Sequence, residues 1–217
     1  SNQVEAGAKH ISFNDPDFFN GPKHALKILQ ALNSEHPEIT YDSTIKVEHI
    51  LKYPDYFKEL KNLKMLFVIS AFETTNDKVL NILKKNHTSS DLNNAVELSL
   101  SNNIDIRPTW MPFSPWTRKQ DLPNIIRLIE EYKLRETVDP IQLTIKLLVP
   151  KNSLILNNPE IDNYLEEYDP ASFSYSWKYK SPDMDKLQID LFTYVLHNEL
   201  LDEYAQYLGI VKIIEQH

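Results

Sequence analysis

The sequence predicts an α/β fold: a partial (β/α) barrel of parallel strands, followed by a mainly helical C-terminal extension. Strand-like and helical runs alternate from Lys9 to Val149, and consecutive βα units predict parallel strands joined by right-handed crossovers. In Leu66-Phe67-Val68-Ile69 and in Leu147-Leu148-Val149 the apolar residues are continuous rather than alternating, as in strands buried on both faces. After Pro150 the alternation stops. The expected division is therefore a barrel-like part over residues 1–157 and a helical extension over 158–217.

Taken in order, Gln3-Val4-Glu5-Ala6-Gly7 reads as the last turn of a helix closed by glycine, and the abrupt Ser1-Asn2 before it reads as an expression remnant on a truncated chain. Strands are expected over 9–13, 39–47, 65–71, 104–113 and 141–149, and helices over 22–34, 47–63, 76–85, 89–101 and 118–134. Gly21-Pro22 marks a helix start because proline fits the first turn, and Thr75-Asn76-Asp77 marks another through a capping hydroxyl followed by an acid that suits the helix dipole. Beyond the barrel, 151–159 is irregular, 160–168 is a short helix and 182–214 is a long helical pattern.

Composition narrows the function classes. A hydrophobic fraction of 41% builds a core, while no window reaches the roughly 20 apolar residues that cross a bilayer and no signal sequence opens the chain. A cytoplasmic protein with no membrane partner is expected. The net charge of −8 argues against a nucleic-acid partner, which needs a basic footprint. With 0 cysteines, the chain alone forms no disulfide, thiolate nucleophile, thiolate zinc site or iron–sulfur centre. Only 3 glycines leave no phosphate-cradling loop. The histidines show neither HxH nor HExxH spacing, so no metal ligand is assigned.

The chemistry gathers at the strand ends. The first strand leads into Asn14-Asp15-Pro16-Asp17, the second into Lys46 and Glu48, and the third into Ser70 and Glu73. The fourth carries Arg107 and Met111-Pro112-Phe113 with Trp110 and Trp116, and the fifth carries Gln142 and Lys146. On parallel strands these ends share one rim. Carboxylates there suit an ammonium group or ribose hydroxyls, Lys46 and Arg107 suit a carboxylate, and the aromatic segment suits a flat ring. The bland readings compete: Asp15 and Asp17 as turn and capping residues, Lys46 and Lys146 as snorkelling barrel residues, Arg107 in a structural ion pair, and the aromatics as core.

Ser70-Ala71-Phe72-Glu73-Thr74-Thr75-Asn76-Asp77-Lys78-Val79-Leu80, followed by Lys85-Asn86-His87-Thr88, resembles the fourth-strand ribose-side motif of radical SAM enzymes, with Asn86 in place of a glycine. His10-Ile11-Ser12-Phe13-Asn14-Asp15-Pro16-Asp17 is similar to that family's second strand and its amino-group-binding turn, commonly Gly-Gly-Glu. The resemblance covers residues 3–156. The stretch 173–185 is similar to a subgroup with a short cysteine-containing C-terminal tail, which this chain lacks, and the CxxxCxxC cluster loop is also missing.

The resemblance implies a radical SAM enzyme fragment. Its intact parent would use a [4Fe–4S] cluster and S-adenosylmethionine to generate a 5′-deoxyadenosyl radical on an unknown substrate. The implied cofactor-binding residues are Asn14, Asp15, Asp17, Lys46, Ser70, Glu73, Arg107 and Met111. The chain alone is expected to bind neither cofactor and to be inactive. The alternative is a non-catalytic α/β barrel module that binds a nucleoside-like ligand or a protein partner. An unpaired first strand is an association hazard, so self-association through the exposed sheet edge is expected.

Overall fold

The computed structural model describes residues 2–217. In chain order its regular elements begin with α1 (Asn2–Glu5), β1 (His10–Phe13), α2 (Pro22–Glu35), β2 (Thr40–Thr44), α3 (Val47–Lys52) and α4 (Pro54–Asn62). There follow β3 (Met65–Glu73), α5 (Asp77–Ile82), α6 (Ser89–Ser101), β4 (Asp105–Trp110) and α7 (Asp121–Glu131). The C-terminal part holds β5 (Val149–Pro150), β6 (Leu165–Asp169), β7 (Ser174–Trp177), α8 (Pro182–His197) and α9 (Glu203–Gln216).

β1 to β4 form one four-stranded sheet in sequence order, with β1 parallel to β2 and β2 parallel to β3. The partial α/β barrel read from the sequence is the fold observed. Contacts divide the chain into two compact units: the described residues up to Phe72 with Ser90–Thr109, and Glu73–Ser89 with Trp110–His217. Residues 158–217 thus belong to the same unit as the segment after β4.

In the first unit the period-2 alternation of the strands decides what each side chain meets. Tyr41, Ser43, Val68, Ser70, Ile106 and Pro108 share one face and are buried, as are Leu26, Leu29, Ile50, Phe57, Leu60 and Val96 of the helices. The opposite face, with His10, Ser12, Phe67, Ile69, Ala71, Arg107 and Thr109, is half-buried to exposed. Tyr53-Pro54 splits the helix expected over 47–63 into α3 and α4, because proline cannot continue the helix but fits a first turn.

In the second unit the expected fifth strand is not formed as such. Pro140–Thr144 is a 3₁₀ helix, started by Pro140 and capped by the Asp139 carboxylate on the Ile141 amide at 3.1 Å. What remains is one parallel bridge, Phe113 with Lys146, in which the Leu147 amide donates to the Phe113 carbonyl at 2.7 Å. The segment 160–168 is not a helix either. A short 3₁₀ turn at Ile161–Asn163 gives way to β6, which pairs antiparallel with β7 in a three-stranded sheet with β5. Glu-Glu between Leu165 and Tyr168 offers no clear period, and pairing with β7 settles it.

The long C-terminal pattern is a hairpin, α8 and α9, broken at Asn198 and restarted at Asp202, whose carboxylate caps the Ala205 amide at 2.9 Å. Gly209 lies where α9 meets the ring of Tyr194. A Cβ there would overlap the tyrosine ring and hydroxyl, so glycine is required by close approach rather than by backbone angle. Near the N-terminus Gly7 has φ 97°, the left-handed cap expected after α1. Among the described residues no helix is long and apolar enough to cross a membrane.

Candidate functional site

The residues singled out at the strand ends fall in both compact units. Asn14, Asp15, Asp17, Lys46, Ser70 and Arg107 belong to the first unit, Glu73 and Met111 to the second.

After β1, the Asp15 carboxylate accepts the Asp17 amide at 2.8 Å, an Asx turn that fixes the loop. Asn14 and Asp15 are exposed. The Asp17 side chain is 7% exposed, and its Oδ2 lies 2.8 Å from Nδ1 of His49 and 3.4 Å from Nζ of Lys46. A buried carboxylate needs compensation, and both basic partners come from the segment that leaves β2. The Asp17 carboxylate is thereby engaged inside its own unit rather than presented to an incoming ammonium group. His49 is the residue that motif spacing misses. The available signal is the need of an acid at a strand end for a partner, with basic residues after the next strand.

Ser70 is fully buried, and its hydroxyl donates to the Ile45 carbonyl at 2.7 Å. It sits on the buried face with Val68, one residue out of phase with Ile69, Ala71 and Glu73. Arg107 is on the opposite, open face, but in the middle of β4, four residues before Met111. Its guanidinium carbon lies 3.5 Å from the centroid of the Phe67 ring.

In the second unit Glu73 ends β3 with φ 63°. A left-handed non-glycine residue costs on the order of 1 kcal/mol and clusters at functional positions. The side chain is 18% exposed, with Oε1 at 2.5 Å from Nζ of Lys85. The Glu73 carbonyl accepts the Met111 amide at 2.9 Å, which brings together these two of the expected site residues. Thr74 is buried and receives the Asn76 amide at 3.2 Å. The helix cap is Asn76 rather than Thr75: its Oδ1 accepts from Lys78 and Val79, and its Nδ2 donates to Asp121 at 2.6 Å.

Asp77 accepts the Ser89 amide at 2.6 Å, tying the start of α5 to the turn before α6. Asn86 has φ 56°, in the left-handed region where glycine is favoured and asparagine is well tolerated. Substitution of glycine by asparagine there preserves the turn.

The remaining groups are structural. Lys146 donates to the Trp177 carbonyl at 2.9 Å and pairs with Asp185 at 3.1 Å. Gln142 accepts the Trp110 amide at 3.0 Å. Trp110, Phe113 and Trp116 are buried. Desolvation pushes the Tyr179 phenol far above its ordinary range, so it is no acid–base group near neutral pH. The hydrogen bond from Lys78 lowers the pKa of the exposed Glu160.

No three acidic or histidine side chains among the described residues are placed to share a metal ion. The donor set does not fit an iron–sulfur cluster, which requires thiolates that this sequence lacks. The groups around Glu73 do fit the hydroxyl-rich part of a nucleoside, since a half-open carboxylate accepts two adjacent hydroxyl hydrogens.

No protein-family model matches the chain, and no curated protein sequence is similar to it. Solved structures share its fold. The cobalamin-dependent S-adenosylmethionine radical enzyme OxsB with aqua-cobalamin bound aligns with a TM-score of 0.71 at 12% identity, over 91% of this chain and 35% of that one. OxsB with aqua-cobalamin and S-adenosylmethionine bound aligns with a TM-score of 0.68 at 11% identity, over 94% of this chain and 40% of that one. The chain therefore spans well under half the length of either. At such identity the likeness is one of fold, the radical SAM-like α/β fold.

Proposed function

We propose that this chain is the part of a radical SAM protein that positions the nucleoside of S-adenosylmethionine, with Glu73 as the acceptor for the ribose hydroxyls. The observation that carries the reading is Glu73 itself. It ends β3 in a left-handed conformation, in a motif resembling the family's ribose side, on a fold whose solved relatives include an S-adenosylmethionine complex. Lys85 holds one carboxylate oxygen, which orients the other, and we assign Met111, whose amide donates to the Glu73 carbonyl, to the thioether or ring of such a ligand. Asn14 and Asp15, exposed beside β1, are the polar groups left to receive the amino-acid end, since Asp17 is occupied by His49.

In an intact enzyme of this kind, the cluster and S-adenosylmethionine together supply a 5′-deoxyadenosyl radical. What this chain's residues contribute is placement: an oriented acceptor and a rigid strand beneath it. The lack of cysteine favours a second reading, in which the chain acts as a binding module without cluster chemistry of its own.

Calorimetry with S-adenosylhomocysteine tests the binding reading. Weak binding that Glu73→Gln reduces supports it, and binding indifferent to Glu73 rejects the assignment. Both readings expect no cluster on this cysteine-free chain, so a stoichiometric, stable cluster found by iron and sulfide analysis after anaerobic reconstitution would refute both.

A further inference from the structure

The C-terminal hairpin has two apolar faces, and its own unit covers one. On α8 the buried apolar residues are Met184, Leu187, Leu191 and Val195, and the helix lies against α9 and the 3₁₀ helix Pro140–Thr144. At about 100° per residue, Ile189, Phe192 and Leu196 form a second stripe on another side of α8, each 42–56% exposed. Leu200, in the turn, is 97% exposed. Leu201, Tyr204 and Leu208 carry this exposed surface into α9, where Tyr207, Ile210 and Ile214 make a separate, buried stripe. Seven of the 13 large apolar residues exposed among the described residues thus lie in one stretch, 189–208. Single exposed apolar side chains are ordinary, whereas a cluster marks an interaction surface.

The charges along the stripe on α8 point to its occupant. Asp190, the acid beside Ile189, is held by His217 at 3.0 Å. That leaves Lys186 at one end and Glu199 at the other, both exposed and neither ion-paired with a described residue. Turned end for end about a two-fold axis between Phe192 and Thr193, the stripe complements itself: Ile189 lies opposite Leu196, and Lys186 opposite Glu199. Such self-complementarity is what an isologous contact requires. Anionic lipid is a poor occupant, because membranes attract basic segments and the chain carries a net charge of −8.

We propose that the exposed face of the α8–α9 hairpin docks a second copy of this chain, with the two α8 helices antiparallel. The four helices then form a bundle in which each stripe is covered by its counterpart. Burial of the apolar side chains supplies the attraction, and the two Lys186–Glu199 pairs at the rim fix direction and register. All of these residues belong to the second unit, whereas β1 and its edge belong to the first.

Sedimentation velocity on the full chain, from micromolar to millimolar concentration, tests the proposal. The expected species at the upper end has twice the chain's mass. Leu196→Glu, at a half-exposed position that the monomer does not need for its core, should weaken the dimer by roughly 100-fold or more, since the two-fold axis counts the change twice. Lys186→Glu should weaken it by roughly 10-fold, and adding Glu199→Lys should restore it. These two positions are exposed, so the charge reversal decides the matter even if Leu196→Glu unfolds. Because the sequence has 0 cysteines, a single Thr193→Cys supplies the only thiol, and mild oxidation should cross-link it to its counterpart near the axis. Lys9→Cys, beside β1, should give no cross-link. A monomer at millimolar concentration would overturn the proposal and leave the face to a different protein. A dimer indifferent to Leu196→Glu, or one that cross-links through Lys9→Cys and not through Thr193→Cys, would overturn it in favour of the β1 edge.

Discussion

Asp17 and Glu73 are both acids at the end of a parallel strand, Asp17 in the loop after β1 and Glu73 as the last residue of β3, yet their surroundings are opposite. Asp17 is closed in: a 7%-exposed carboxylate against His49 and Lys46. Glu73 is held open at 18% exposure by a single lysine, on backbone turned left-handed. The difference comes from the neighbouring helices. The segment entering α3 carries Lys46 and His49 back to Asp17, whereas α5 opens with Asn76, which caps its own helix and binds Asp121. A strand end gives an acid its direction, and the helix beside it decides whether that acid is available.

The largest effect expected from this contrast is on folding. Asp17→Ala leaves a nearly buried histidine and a lysine without their acid, and breaking such a pair costs roughly 3 kcal/mol. Urea unfolding followed by circular dichroism should show that loss, and a comparable loss from Glu73→Ala would break the comparison. On ligand affinity the order reverses. Hydrogen bonds to a charged group are worth about 1.5 to 3 kcal/mol, so Glu73→Gln should weaken S-adenosylhomocysteine by roughly 10- to 150-fold. Among folded variants, an equal drop from Asp15→Asn but none from Glu73→Gln would move the ligand to the other loop.

Smaller effects sharpen the same point. Glu73→Gly removes a left-handed side chain and should raise stability by up to about 1 kcal/mol while lowering affinity. A glycine variant less stable than the parent would mean that the Lys85 pair outweighs the backbone strain. Lys46 is 56% exposed, and Lys46→Ala should cost less than about 1 kcal/mol. A larger loss in the same urea experiment would show that Lys46, rather than His49, is the main partner of Asp17.

Much of the fold is legible in the sequence because local and tertiary signals agree. β3 reads as a strand from its unbroken apolar run, and Pro22 and Asn76 mark helix starts that form where expected. That Ser70 is buried with its hydroxyl on the Ile45 carbonyl is not legible from the motif, because that partner lies on the segment after the preceding strand. The region after β4 is harder. Pro140 and Asp139 favour a 3₁₀ turn over a strand, and β6 depends on a partner, β7, that lies beyond the next turn. His49 is invisible to motif spacing because its partner lies 32 residues away, in the loop before α2.

Gly209 carries one more consequence. The Tyr194 ring occupies the notch that this residue leaves in α9, and its hydroxyl reaches the Ala205 carbonyl at 3.4 Å. A half-turn of that ring about its own axis sweeps through the space where α9 stands, so it waits for the two C-terminal helices to part. The exchange between its two ring edges, seen as separate or merged proton resonances, is therefore expected to slow with the packing of α8 on α9 and to report their separation.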